Sequence, residues 1–245
     1  MSKIKLNEQF EVIVQLQTEL NEQFVTDWVN QNLDWKAAIQ DECSEVMGSS
    51  VHWKWWKSSP FENGKLVDVD NVKVEAIDLL HFLISAITEK SYQGVFTLND
   101  AVSDTSARLA AMSSDVTAKN ISFRGTEKEF CAAIVFLTRN ILKCSLLENY
   151  HLAAYSLFEL FSILGMDSNE IFKQFISKNI LNVYRSERGY NNPDVVYPKI
   201  HDGLEDNEHL SVIMSDYNGD YDAIEAVKEY VFAAMDARLG LKNPV

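Results

Sequence analysis

The sequence predicts an all-α helical bundle, and three features carry that prediction. Only four prolines and nine glycines punctuate the 245 residues, so stretches such as 8–47 and 65–93 contain no helix breaker. Apolar residues recur at helical spacing in several separate windows. No alternating apolar–polar pattern, the mark of a half-buried strand, lasts more than a few residues.

The elements follow in chain order. Phe10, Ile13, Val14 and Leu20 mark a first helix; Trp35, Ala38 and Ile39 mark a second over 34–47. The segment 58–70 (SSPFENGKLVDVD) holds Pro, Gly and Asn and reads as a loop joining two helices. The helix that follows, 71–90, is apolar on almost every side through Val72, Val74, Ile77, Leu79, Leu80, Leu83 and Ile84, which predicts burial. Around 91–130 the chain has small residues and few bulky anchors, and a peripheral or mobile excursion is expected there. Ile134, Leu137 and Ile141, then Phe172, Phe175 and Ile176, mark two more helices. The last of these should end with Gly189 in the left-handed position just past its final turn, before a Pro- and Gly-marked loop to Gly203. No internal repeat or composition shift cuts the chain, so 1–245 reads as a single domain.

Composition narrows the function classes. With 22 Lys+Arg against 36 Asp+Glu the formal charge is −14, which argues against broad nucleic-acid or anionic-membrane binding. It leaves room for a phosphorylated small substrate, because cations held by carboxylates can supply the missing positive charge. The three cysteines, Cys43, Cys131 and Cys144, are widely spaced and form no disulfide or zinc pattern. Together with the lack of a long apolar run near Met1 or of a membrane-length span, they lead us to expect a cytoplasmic protein.

Four carboxylates carry the chemistry. Glu42 and Glu45 are three residues apart on one helix, and Glu75 and Asp78 repeat that spacing on the next. At about 100° per residue, each pair falls within roughly 60° on one helix face. A lone pair of this kind is usually a solvated face, but here two pairs sit on helices joined by one loop, and the second helix is apolar all round. Buried carboxylates need compensation, either from Lys or Arg or from a metal ion. All-oxygen ligation by Glu42, Glu45, Glu75 and Asp78 suits Mg²⁺ or Mn²⁺. Asp78 and His81 also allow a ferritin-like di-iron reading, but no second acid–His pair accompanies them, and His81 reads more simply as a core histidine or one supporting the site.

Two basic segments complete the pattern. VHWKWWK places Trp53, Trp55 and Trp56 around Lys54 and Lys57, as core anchors with lysines reaching to water or as an aromatic face for a base with ammonium groups near its phosphates. In KNILNVYRSERGY, Lys178, Asn182 and Arg185 form one helical stripe that leads to Tyr190, Tyr197, Lys199 and Asn207. Cations converging on acidic metal ligands are what a nucleotide polyphosphate requires.

In this order the blocks QTELN, DECSE, HWKWWK, NVKVEAIDLLHF, KNILNVYRSERGY and YPKIHDGLEDN resemble the dimeric all-α dUTPases of the MazG-like nucleotide pyrophosphohydrolase superfamily. The resemblance implies a four-helix MazG-like core with added peripheral helices, and Mg²⁺-dependent hydrolysis of dUTP and dUDP to dUMP by a homodimer whose partner completes the pocket. It assigns Glu42, Glu45, Glu75 and Asp78 to the metal, Gln17 and Asn21 to the nucleoside, and Trp53 to the base pocket. Lys178, Asn182, Arg185, Tyr190, Lys199 and Asn207 fall in the segment that closes on sugar and phosphates, with Lys57 as a further substrate contact. Glu45 is the first candidate to accept the proton of the attacking water, beside Glu42, with Lys54 stabilising charge on the leaving pyrophosphate. One departure is that Asn191 follows Tyr190 where the family commonly has Lys, and the link 191–196 is enlarged. Arg188 is the candidate to take over the phosphate contact. A dCTP/dUTP or broader NTP pyrophosphohydrolase is the alternative with the same chemistry, and an acidic interaction module with a vestigial site the non-enzymatic one.

Overall fold

The computed structural model describes residues 5–51, 53–56, 64–94 and 97–240. Among them the chain forms nine α-helices: α1 (Leu6–Phe24), α2 (Trp35–Gly48), α3 (Val69–Tyr92), α4 (Leu98–Ala118), α5 (Glu127–Leu146), α6 (Tyr150–Ile163), α7 (Ser168–Glu187), α8 (Asp206–Asp216) and α9 (Ile224–Leu239). The all-α expectation holds, the only sheet among those residues being a hairpin of β1 (Ile200–His201) and β2 (Leu204–Glu205). Its turn is Asp202-Gly203, both with positive φ (49° and 80°), the conformation that a two-residue hairpin requires.

Short polar side chains start the helices. Asp34 accepts from the Ala37 backbone, Asp68 from Asn71, Thr97 from Asp100, Thr126 from Glu129 and Asp167 from Glu170, each satisfying a backbone donor that the first turn leaves open. At the other end of α7, Gly189 adopts φ 77°, as expected for the residue past its last turn.

Helix α3 is the axis of the bundle. It packs against α1, α2, α4, α6 and α7, and Val72, Ile77, Leu79, Leu80, Leu83 and Ile84 are buried, as its apolar surface predicts. Helix α2 lies along α3 and α5, while α1 packs on α4 and α7. Helices α8 and α9 pack on each other and on α7, and the β-hairpin leads directly into α8.

Within the stretch 91–130, α4 packs against α1, α3 and α6 and buries Ala101, Thr105, Ser106, Leu109, Ala110 and Ser113. The small side chains that made it look unanchored let α4 approach its neighbours closely, and the Thr105 hydroxyl accepts a hydrogen bond from Thr88 of α3 at 3.3 Å. No helix among the described residues is long and apolar enough to cross a membrane.

Candidate active site

The α2–α3 hairpin brings the two acid pairs together. Glu42, Glu75 and Asp78 each offer a carboxylate oxygen within 4.8 Å of the others, with Glu75 buried and the other two half-buried. Glu45 lies on the exposed side of the group, and its charge acts on Glu42 and Glu75. Burial is the largest reason that the Glu42 carboxyl is pushed up to about 8, followed by the charges of Asp78, Glu45 and Glu75. Glu75 is pushed up to about 7, again by burial first and then by Asp78 and Glu45. Carboxyls that hold protons at neutral pH signal a site short of positive charge.

Part of that charge comes from α7. Lys178 Nζ, itself buried, donates to Asp78 Oδ2 at 2.7 Å and to Asn207 Oδ1 at 3.1 Å. The donor set fits a hard divalent cation: three carboxylate oxygens already lie close together, and oxygens 2.1 Å from one ion are at most about 4.2 Å apart, so a small contraction closes the group.

Along α7, the predicted stripe forms. Arg185 makes a two-point bond to Asp206, Nε to Oδ2 at 2.8 Å and Nη2 to Oδ1 at 2.7 Å, and also donates to Asn182 and Asn207. Tyr190 lies 5.6 Å from the guanidinium, and Tyr197 donates to Asp206 at 2.9 Å. Burial alone would raise the Asp206 carboxyl, but its bonds with Arg185 hold it below the usual range. Asp206 was not singled out as a site residue in the sequence. The Asp-Gly turn just before it was the available signal, since that hairpin delivers Asp206 and Asn207 to α7.

The nucleoside candidates meet α3 farther along, about one and two turns past Asp78 at His81 and Ser85. Gln17 and Asn21 are buried on α1, bonded to each other and to Ser85, while His81 bonds Gln17 at 2.6 Å and stacks on Phe175 at 4.0 Å. Burial, then the charge of Lys178, pulls the His81 ring down to about 3, so it stays neutral. Lys178 therefore acts on the carboxylates and on the histidine, linking the two ends of the site.

Other predicted residues lie elsewhere. Trp53 donates to the Met47 carbonyl at 3.0 Å, with Lys54 over its ring at 5.2 Å. With Cys131, Val135, Phe136 and Arg139 it lines a hollow of about 210 Å³ against α5, so its contacts are with α2 and α5 and not with Gln17 or Asn21. Lys199 is exposed, and its backbone bonds Tyr197 and Asp206. Lys57 and His52 lie outside the described residues.

Arg188, the candidate to take over the phosphate contact, is engaged with α9. It is buried, paired with Asp236 of α9 at 3.0 and 2.7 Å, and its guanidinium lies 5.0 and 5.5 Å from the Tyr184 and Phe232 rings. The link 191–196 turns back on the end of α7: Val195 lies so close to Gly189 that a Cβ there would meet it at 2.9 Å.

The family model for dUTPase matches residues 9–190. The chain belongs to the dUTPase family. The match runs from α1 to Tyr190 and takes in Gln17, Asn21, the four acids and the α7 stripe, leaving Lys199, Asn207, α8 and α9 beyond it. No match is found among curated proteins. As a dUTPase-family member it is a hydrolase of the dUTP diphosphatase type, with a nucleotide substrate.

Proposed function

We propose that the chain converts dUTP, and also dUDP, to dUMP in a reaction that requires Mg²⁺, with Mn²⁺ as a substitute. The observation that carries this is the convergence of Glu42, Glu75 and Asp78 within 4.8 Å, with Glu45 at their edge. Glu42, Glu45, Glu75 and Asp78 would hold the metal, which when bound neutralises phosphate charge and orients the water.

The remaining work falls to the chain. Lys178 shifts from Asp78 toward the phosphates as the carboxylates are neutralised, and Arg185, held in place by Asp206, presents its guanidinium beside Asn182, Asn207 and Tyr190. Glu45, the most exposed of the four acids, takes the proton of the water that attacks phosphorus. The new P–O bond forms as the bond to the leaving pyrophosphate, or to phosphate in dUDP, breaks. Lys54, Lys57 and Lys199 stabilise the charge that the leaving group gains, and Gln17, Asn21 and Trp53 receive the nucleoside.

A homodimer accounts for the separation of Trp53 from Gln17, since a second copy can bring its own Trp53 and Lys54 to the pocket. The exposed rings of Trp55, Trp56 and Phe136 near that hollow give the second copy an apolar face to cover. Light scattering of the purified chain at twice the monomer mass supports this, and a monomer refutes it. Three free thiols suit a reducing, cytoplasmic setting.

The decisive test is a panel of dUTP, dUDP, dCTP, dTTP and UTP with Mg²⁺, products being separated by chromatography, and repeated in EDTA. We expect dUTP and dUDP to yield dUMP and EDTA to abolish turnover until Mg²⁺ is restored. Equal rates on dCTP move the chain to the broader pyrophosphohydrolase class, and full activity in chelator removes the metal from the mechanism.

A further inference from the structure

Where α1 meets α3, four buried polar side chains form a network whose direction is set by one hydroxyl. We propose that Ser85 is a specificity-determining positioning residue: its hydroxyl fixes which way the amides of Gln17 and Asn21 point, and so which base edge Asn21 can accept. This rests on the reading that these amides meet the nucleoside.

The hydrogen bonds leave one consistent assignment. Ser85, fully buried, donates its only proton to the His81 carbonyl at 2.9 Å, an oxygen that can only accept. The hydroxyl oxygen must then accept from both amides, Gln17 Nε2 at 3.1 Å and Asn21 Nδ2 at 2.9 Å. Flipping either amide would set two oxygens against each other with no proton between them. The second Gln17 amide proton goes to Asn21 Oδ1 at 2.8 Å, and Gln17 Oε1 accepts from His81 Nδ1 at 2.6 Å. That makes Nδ1 the protonated ring nitrogen and leaves the buried Nε2 as a bare acceptor with no partner among the described residues.

The consequence divides the two amides. Gln17 spends both of its protons inside the protein, so it acts by holding its neighbour. Asn21 keeps one amide proton and one Oδ1 lone pair in fixed positions. Uracil offers N3–H beside a carbonyl and satisfies both. Cytosine carries a lone pair at N3, which meets the locked Oδ1 lone pair, and only a flipped amide would accept it in the same place. A buried site that leaves such groups unmatched discriminates strongly between bases.

The test uses the full chain with Ser85→Ala, Ser85→Thr and Asn21→Ala. In Ser85→Ala the amides are free to turn, and the ratio of kcat/KM for dUTP over dCTP should fall about tenfold or more. The fall should come through KM, with kcat on dUTP within about threefold, and Ser85→Thr, which keeps the hydroxyl, should restore the ratio. Where dCTP turns over too slowly, inhibition by dUMP and dCMP gives the same ratio. Nitrogen-15 NMR of the imidazole should show His81 protonated at Nδ1 in the unaltered protein and a mixture of tautomers in Ser85→Ala. An unchanged ratio in Ser85→Ala, or a proton on Nε2 in the unaltered protein, overturns the proposal. An unchanged KM for dUTP in Asn21→Ala overturns instead the reading that these amides meet the base.

Discussion

Replacing Glu42 by Gln should disable the enzyme and yet stabilise its metal-free fold. At pH 8 a glutamate in the unfolded chain is ionised, while in the folded protein the Glu42 carboxyl, pushed up from 4.5 to about 8, still holds its proton about half of the time. Holding that proton costs the fold about 4 kcal/mol. Glu42 keeps some contact with water and shares its neighbours with Glu75, so about 2–3 kcal/mol is the realistic share. The sign follows from the raised value: stability is full below about pH 4.5 and is lost as the pH rises toward 8. Gln has the same shape and no charge, so Glu42→Gln removes this loss. At 2–4 °C per kcal/mol for a chain of this size, the variant should melt about 4–12 °C higher than the unaltered protein at pH 8 in EDTA. At pH 5.5 the gain should shrink to about 1 kcal/mol. Calorimetry at the two pH values, with dUTP turnover measured in parallel, checks both halves. A variant that melts lower at pH 8, or whose gain does not depend on pH, would refute a charge-strained carboxylate cluster.

Other outcomes follow from the packing. Arg188→Ala should lower Tm by about 4–8 °C, because it takes from Asp236 of α9 its two-point partner and costs about 2 kcal/mol, while leaving KM for dUTP within about twofold. An unaltered Tm with a raised KM would return Arg188 to the phosphates. Leu109→Ala, at a fully buried position of α4, should cost about 3 kcal/mol in a urea titration. A loss below about 1 kcal/mol would mean that α4 is peripheral after all.

Much of the site was legible because it depends on spacing within single helices. An acid pair three residues apart faces one way whatever surrounds it, and the apolar residues around Glu75 and Asp78 announced that this face points inward. Gly189 could be placed from the helix that it ends. What could not be read were relations between residues distant in sequence. Arg188 looked free because its partner, Asp236, is 48 positions away on another helix. Helix α4 looked loose because small residues give a weak hydrophobic signal, although in contact with α1, α3 and α6 they permit close packing. Trp53 stood in an aromatic run that matched a base pocket, and the fold turned it toward α5.

Helical periodicity and the scarcity of breakers therefore determined by themselves that this protein is a bundle and that its four acids form two pairs, each on one face of its helix. Which cation meets them, which carboxylate clamps Arg185 and which hydroxyl orients Gln17 and Asn21 were decided only when the helices packed. A hydrogen bond or an ion pair needs atoms within about 3 Å, and for groups on different helices no local pattern in the chain encodes that distance.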